Sequence, residues 1–220
     1  MNIPYMNNIA IDCLDLSLNY KELIKNSNVI AKSLIELGVK PGQIITVCMP
    51  NYAQAVEIFL AANKIGVTVS FINSFAKKEE TIKYLNYFES PIFVNYNRND
   101  DYNNEIKNNT KVKNIITLDK NDLNRKDFNR INGNLIGYND LITFSDLKLI
   151  SDFQKGYFKT NFDGNQDALI LFTSGTTGDP KSVLITNKNV LASGIYTKNT
   201  CEIKPKADES CLVCVPFCYP

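Results

Sequence analysis

Between residues 21 and 118, short apolar runs alternate with stretches whose apolar side chains recur every three or four positions, and this alternation restricts the fold more than any other feature. Leu23, Ile30, Leu34 and Leu37 lie at helical spacing over 21–37, and Gly38 stands where a C-terminal cap belongs. Pro41-Gly42 turns the chain into an apolar strand over 44–49. Helical spacing returns over 52–65 through Val56, Phe59 and Leu60, followed by a strand over 67–72. A helix over 77–88 carries Glu79 and Glu80 in its first turn, where negative charge suits the helix dipole, and a strand over 92–95 follows. A weaker helix over 101–107 and a strand over 114–118 complete the series. Strands separated by helices argue for βαβ crossovers, so the fold class is α/β: a largely parallel sheet with flanking helices.

Beyond residue 118 the pattern loosens. Residues 119–140 are rich in Asn, Asp and Gly and read as a surface excursion; a short helix is expected near 145–154, and 156–166 is polar again. These stretches read as insertions within one lobe, because an apolar strand resumes at 168–172. With 220 residues and 44% hydrophobic content, the chain can bury a sizeable core. Its 24 basic and 23 acidic residues leave a formal charge of +1, which argues against a general nucleic-acid or anionic-membrane surface. No secretion signal and no transmembrane segment is evident, so a cytoplasmic location is expected. Cys211, Cys214 and Cys218 approach a cluster-binding spacing. Residues 211–215 read as a buried strand, however, where positions three apart face opposite ways, so the cysteines are expected to be buried thiols.

Chemistry concentrates at residues 173–181, Thr-Ser-Gly-Thr-Thr-Gly-Asp-Pro-Lys, between apolar runs at 168–172 and 183–185 that read as two buried strands. A polyphosphate needs many short donors, a close backbone approach and a cation. Thr173, Ser174, Thr176 and Thr177 supply hydroxyls, Gly175 and Gly178 remove side-chain bulk, and Lys181 supplies an ammonium. From Gly175 the spacing nearly fits a Walker loop, but Pro180 occupies the glycine position next to the lysine. Proline has no N–H and a fixed φ, so that cradle cannot form.

The segment resembles the phosphate-binding signature of the adenylate-forming superfamily, which includes acyl-CoA synthetases and peptide-synthetase adenylation domains: an aromatic, then Thr-Ser-Gly-Thr-Thr-Gly-x-Pro-Lys-Gly. Phe172 precedes the loop, and Ser182 replaces the final glycine. Flanking matches follow in order. Leu16 to Leu23 resembles the opening Thr-Tyr-x-Glu-Leu element, Gly38 to Gln43 a Gly-Val-x-x-Gly-Asp run, Pro50-Asn51 a Pro-Asn pair, and Leu60 to Gly66 the end of the next helix. Leu184 to Val190 resembles Leu-Thr-His-x-Asn-Leu with Asn187 in the histidine position, and Val215 to Tyr219 resembles Leu-Pro-Leu-Phe-His with Tyr219 in the histidine position.

The resemblance implies ATP and Mg²⁺, a carboxylic acid substrate, and coenzyme A or a carrier-protein thiol as acceptor, with no nucleic acid. Ser174, Thr176, Thr177 and the amides of Gly175 and Gly178 would meet the β- and γ-phosphates. Lys181 would neutralise the leaving pyrophosphate, Thr173 would approach Mg²⁺, and Lys181 with Thr176 would be catalytic. Tyr219 would line the carboxylate pocket. Family members continue into further metal, adenine and ribose motifs and a mobile C-terminal domain. Residues 1–220 are therefore expected to be the incomplete N-terminal portion of an adenylate-forming large domain, inactive alone and with exposed apolar surface. A non-catalytic relic that keeps the phosphate loop is the alternative, and a P-loop NTPase a third.

Overall fold

The computed structural model describes residues 5–96, 98–120, 122–124, 141–144, 163–173, 181–200 and 210–219. A two-stranded antiparallel hairpin, β1 (Ile9–Cys13) and β2 (Leu16–Asn19), opens the chain. It leads directly into α1 (Tyr20–Glu36), whose first turn is closed by a capping box: Glu22 N donates to Asn19 Oδ1, and Asn19 N donates to Glu22 Oε2, both at 2.8 Å. There follow β3 (Ile44–Cys48), α2 (Ala53–Lys64), β4 (Thr68–Phe71), α3 (Lys78–Phe88), β5 (Ile92–Tyr96), α4 (Asp100–Asn109) and β6 (Asn114–Leu118). Then come β7 (Leu141–Thr143), β8 (Asp167–Thr173), β9 (Lys181–Thr186) and α5 (Asn187–Thr200). No helix among the described residues is long and apolar enough to cross a membrane.

Strands β3 to β9 form one seven-stranded sheet in the order β7-β6-β5-β3-β4-β8-β9. Every pairing is parallel except β8 with β9, so the expected parallel α/β architecture is present. The two-residue period of a strand divides the core cleanly. Ile45, Val47, Ile92, Val94, Ile116 and Leu118 join the cluster that contains α1 and α2, whereas Phe93 and Ile115 join the cluster that contains α3 and α4. The chain steps from β3 outward to β4, then returns past β3 to β5. Neighbouring β3 and β5 therefore send their outgoing connections to opposite faces, which makes the carboxyl ends of these strands a topological switch point.

Several details differ from the sequence reading. On α2 the buried positions are Ala55, Ile58, Ala61 and Ala62 rather than Val56, Phe59 and Leu60, because short side chains let α2 approach α1 and the sheet closely. Strand β9 is not buried: it is the sheet edge, with Val183 and Leu184 exposed. Residues 211–215 form no strand. They run irregularly across the surface, leaving Cys211 and Cys214 exposed, so the opposite-face argument against their convergence does not apply to them. Among the described residues no group of three His, Cys, Asp or Glu side chains is placed to hold a metal ion. The short helix expected near 145–154 lies outside the described residues, as does Cys201.

Candidate active site

Two strands deliver the phosphate-type loop. Because β8 is parallel to β4, its last residue, Thr173, emerges at the same carboxyl edge as the ends of β3, β4 and β5. Strand β9 returns antiparallel, and the register sets Thr173 opposite Lys181. Thr173 Oγ1 donates to the Lys181 carbonyl at 3.4 Å across the mouth. The first and last expected site residues thus face each other, one bearing a hydroxyl and the other an exposed ammonium. Ser174, Gly175, Thr176, Thr177 and Gly178 lie outside the described residues.

The mouth is fixed from below by aromatic packing. Phe172 stacks on Tyr84 with ring centroids 4.3 Å apart and lies 5.7 Å from Phe88, both on α3. Tyr84 donates from its hydroxyl to Glu80 Oε1 at 3.2 Å, and burial, with Glu80 beside it, pushes its phenol up to about 12. Tyr84 is therefore a neutral platform at any physiological pH. From behind, the hairpin is tied by Asn187, the first residue of α5. Asn63 Nδ2 donates to its Oδ1 at 2.5 Å, its Nδ2 donates to the Asp163 carbonyl at 2.9 Å, and its backbone N–H donates to the Gln166 carbonyl. An amide at this position carries both a donor and an acceptor, and here both are used within the fold.

Tyr219 reaches the same edge by a different route. Residues 215–219 cross the end of β3, where Asn51 Nδ2 donates to the Val215 carbonyl at 2.7 Å and Phe217 N donates to Asn51 Oδ1 at 2.9 Å. The Phe217 ring sits 5.9 Å from that of Phe71, at the end of β4. Phe217 also closes an apolar cavity of about 200 Å³ lined by Ala55, Val56, Phe59, Phe71, Leu169 and Val190. A turn follows in which Tyr219 N donates to the Pro216 carbonyl at 3.0 Å, leaving the Tyr219 side chain exposed. The third thiol of the group, Cys218, is half-buried, and burial raises its pKa.

The switch point between these two segments holds residues that sequence reading did not single out. Tyr52 and Tyr96 meet edge to face at 4.9 Å. Arg98 lies over the Tyr102 ring at 4.6 Å and donates through Nη2 to the Ser74 carbonyl at 2.9 Å. Its position immediately after a strand end is the signal that could have marked it. The buried Cys48 thiol lies 3.9 Å from the same guanidinium nitrogen, and its pKa is raised, burial outweighing the cation.

The hydroxyl-and-lysine hairpin mouth and the aromatic-bearing segment 215–219 both lie at the carboxyl edge of the parallel sheet, the edge at which α/β proteins bind nucleotides. The chain is 28% identical to 4-coumarate–CoA ligase 3 of Arabidopsis thaliana over 166 residues, covering 74% of this chain and 26% of the relative. It is 31% identical to luciferin 4-monooxygenase of Photuris pensylvanica over 188 residues, covering 82% of this chain and 32% of the relative. The chain thus spans about a quarter to a third of the length of these relatives. Its fold is similar to the crystal structure of the anthranilate CoA ligase AuaEII in complex with anthranoyl-AMP, with a TM-score of 0.69 at 20% identity over 90% of this chain and 36% of that one. The family described as AMP-binding enzyme matches residues 4–219, nearly the whole chain. By this match and with the fold in agreement, the chain belongs to the AMP-binding enzyme family.

Proposed function

We propose that this chain carries the triphosphate-gripping portion of an ATP-dependent carboxylate-activating enzyme that passes its acyl group to a thiol, coenzyme A or a carrier protein. The observation that carries the reading is the register that sets Thr173 opposite Lys181 at the carboxyl edge of the sheet. Seven residues join them, among them Ser174, Thr176 and Thr177 as hydroxyl donors and Gly175 and Gly178 for close backbone approach. This donor set fits a phosphate chain. Hydrogen bonds to ionised oxygens contribute roughly 1.5–3 kcal/mol each, so a few of them together hold a nucleotide tail.

In the reaction, a carboxylate oxygen attacks the α-phosphorus of ATP, the bond to the bridging oxygen breaks, and pyrophosphate leaves with the negative charge. Two anions must meet, so positioning and charge compensation carry most of the catalysis. Lys181 holds its ammonium toward the departing phosphates, Thr176 donates to them, and the loop amides orient them. Thr173 keeps lone pairs on its hydroxyl oxygen while it donates to the Lys181 carbonyl, which suits a single protein contact to Mg²⁺; the ion, when bound, neutralises phosphate charge. Tyr219, exposed on the neighbouring segment, borders the carboxylate.

The test uses the longest product of the reading frame, since the chain spans only a fraction of its relatives' length. ATP–pyrophosphate exchange is measured across a panel of carboxylic acids. Lys181→Ala and Thr176→Ala are each expected to lower exchange by a hundredfold or more, on the scale of losing one transition-state donor. Exchange at the parent rate in both variants contradicts the assignment.

A further inference from the structure

Asn51 lies in the bend between β3 and α2, directly before Tyr52, the residue that caps α2. Asn51 stands one residue before the cap, and the cap residue itself makes no side-chain bond to the first turn. The Asn51 amide is instead turned outward to a segment more than 160 residues away. It donates from Nδ2 to the Val215 carbonyl at 2.7 Å and accepts from Phe217 N at 2.9 Å. Together the two bonds imitate one rung of a β-ladder, made by a side chain rather than a strand. Asparagine is the short residue with an oxygen acceptor and a nitrogen donor on one planar group; aspartate lacks the donor and serine lacks the reach. The bend itself is held: Tyr52 N donates to the Pro50 carbonyl at 2.7 Å, and Cys13 Sγ donates to the Asn51 carbonyl at 3.6 Å.

We infer that Asn51 is a positioning residue, a two-point clamp that fixes residues 215–219 at the switch point and so sets where Tyr219 stands relative to the reacting carboxylate. The functional part of this inference rests on the carboxylate-activation reading; the structural part does not. Residues 211–215 form no strand, and Leu212 is 89% exposed, so among the described residues 210–219 the clamp is the first firm hold before the Phe217 ring meets Phe71. Releasing it frees the carboxylate side of the site, while the register that sets Thr173 opposite Lys181 does not depend on it.

Two measurements test the clamp. Asn51→Ala is expected to speed amide hydrogen exchange at Phe217 by roughly tenfold, the effect of about one net hydrogen bond. The same variant is expected to raise KM for the carboxylate by a similar factor in pyrophosphate exchange, with KM for ATP·Mg²⁺ unchanged. Asn51→Asp keeps the acceptor but loses the donor, so it should protect the Phe217 amide more than Asn51→Ala while still raising the carboxylate KM; it also serves if the alanine variant does not fold. Unchanged Phe217 exchange in Asn51→Ala, or equal rises in both KM values, overturns the inference. Should the parent enzyme activate no carboxylate, the proposed function fails, while the amide measurement still decides the clamp.

Discussion

At Glu57, burial and charge conflict. The side chain is 2% exposed between α1 and α2 and accepts a hydrogen bond from Asn26 Nδ2 at 2.7 Å. Burial pushes its carboxyl up to about 7, against a smaller downward pull from Asn26. The folded state therefore holds a proton that the unfolded chain releases near 4.5. Stability from this group is fully present below pH 4.5 and is lost as pH rises toward 7, by on the order of 3 kcal/mol. Glu57→Gln keeps the oxygen that Asn26 reaches and removes the proton. It should match the parent in urea unfolding at pH 4.5 and exceed it by on the order of 3 kcal/mol at pH 8, an upper figure because proteins relax around buried charge. Equal stabilities at both pH values contradict this reading. Nothing in the sequence announced Glu57 as buried. It sits on a helix whose large apolar residues, Val56, Phe59 and Leu60, marked the wrong stripe, and only the close α1–α2 approach through alanines brings it inside.

The hairpin that carries the proposed site is held by unequal strands. Strand β8 pairs on both sides and buries Ala168, Ile170 and Leu171; among the described residues β9 pairs only with β8. The mouth thus depends on Phe172 seated between Tyr84 and Phe88. Aromatic contacts of this kind contribute about 0.5–1.5 kcal/mol each beyond burial. Phe172→Ala should cost about 2 kcal/mol in urea unfolding. It should also weaken ATP·Mg²⁺ binding, read by calorimetry. Tyr84→Phe keeps the ring and should change neither, whereas Tyr84→Ala should resemble Phe172→Ala. An effect of Tyr84→Phe as large as that of Tyr84→Ala would shift the role from the ring to the hydroxyl. Helices and parallel strands up to residue 118 were legible because hydrophobic period is a local signal. The loop at 173–181 stood out by composition, with many hydroxyls and glycines beside one lysine, and only its two ends lie among the described residues. Strand β7 was missed because three residues are too few to show a period, and the exposure of β9 was missed because it is a matter of sheet order, which sequence does not print locally.

Across the molecule, the last described elements leave large apolar side chains open to solvent. Leu184 on β9, Leu191, Ile195 and Tyr196 on α5, and Leu212 and Val213 beyond it are all more than half exposed. Patches of this kind mark surfaces that associate. The 220-residue chain should therefore show concentration-dependent association in sedimentation, and Leu184→Lys with Ile195→Lys should suppress it; a monomer at all concentrations would contradict the patch. Phosphate binding by the hairpin is best tested inside the chain itself. Titrating the isotopically labelled chain with ATP·Mg²⁺ and following its amide NMR signals does this directly. The account expects shifts concentrated at residues 173–181, from Thr173 to Lys181, and their loss in Lys181→Ala. Shifts confined to other parts of the sheet, or saturable binding that leaves these amides unmoved, would contradict it.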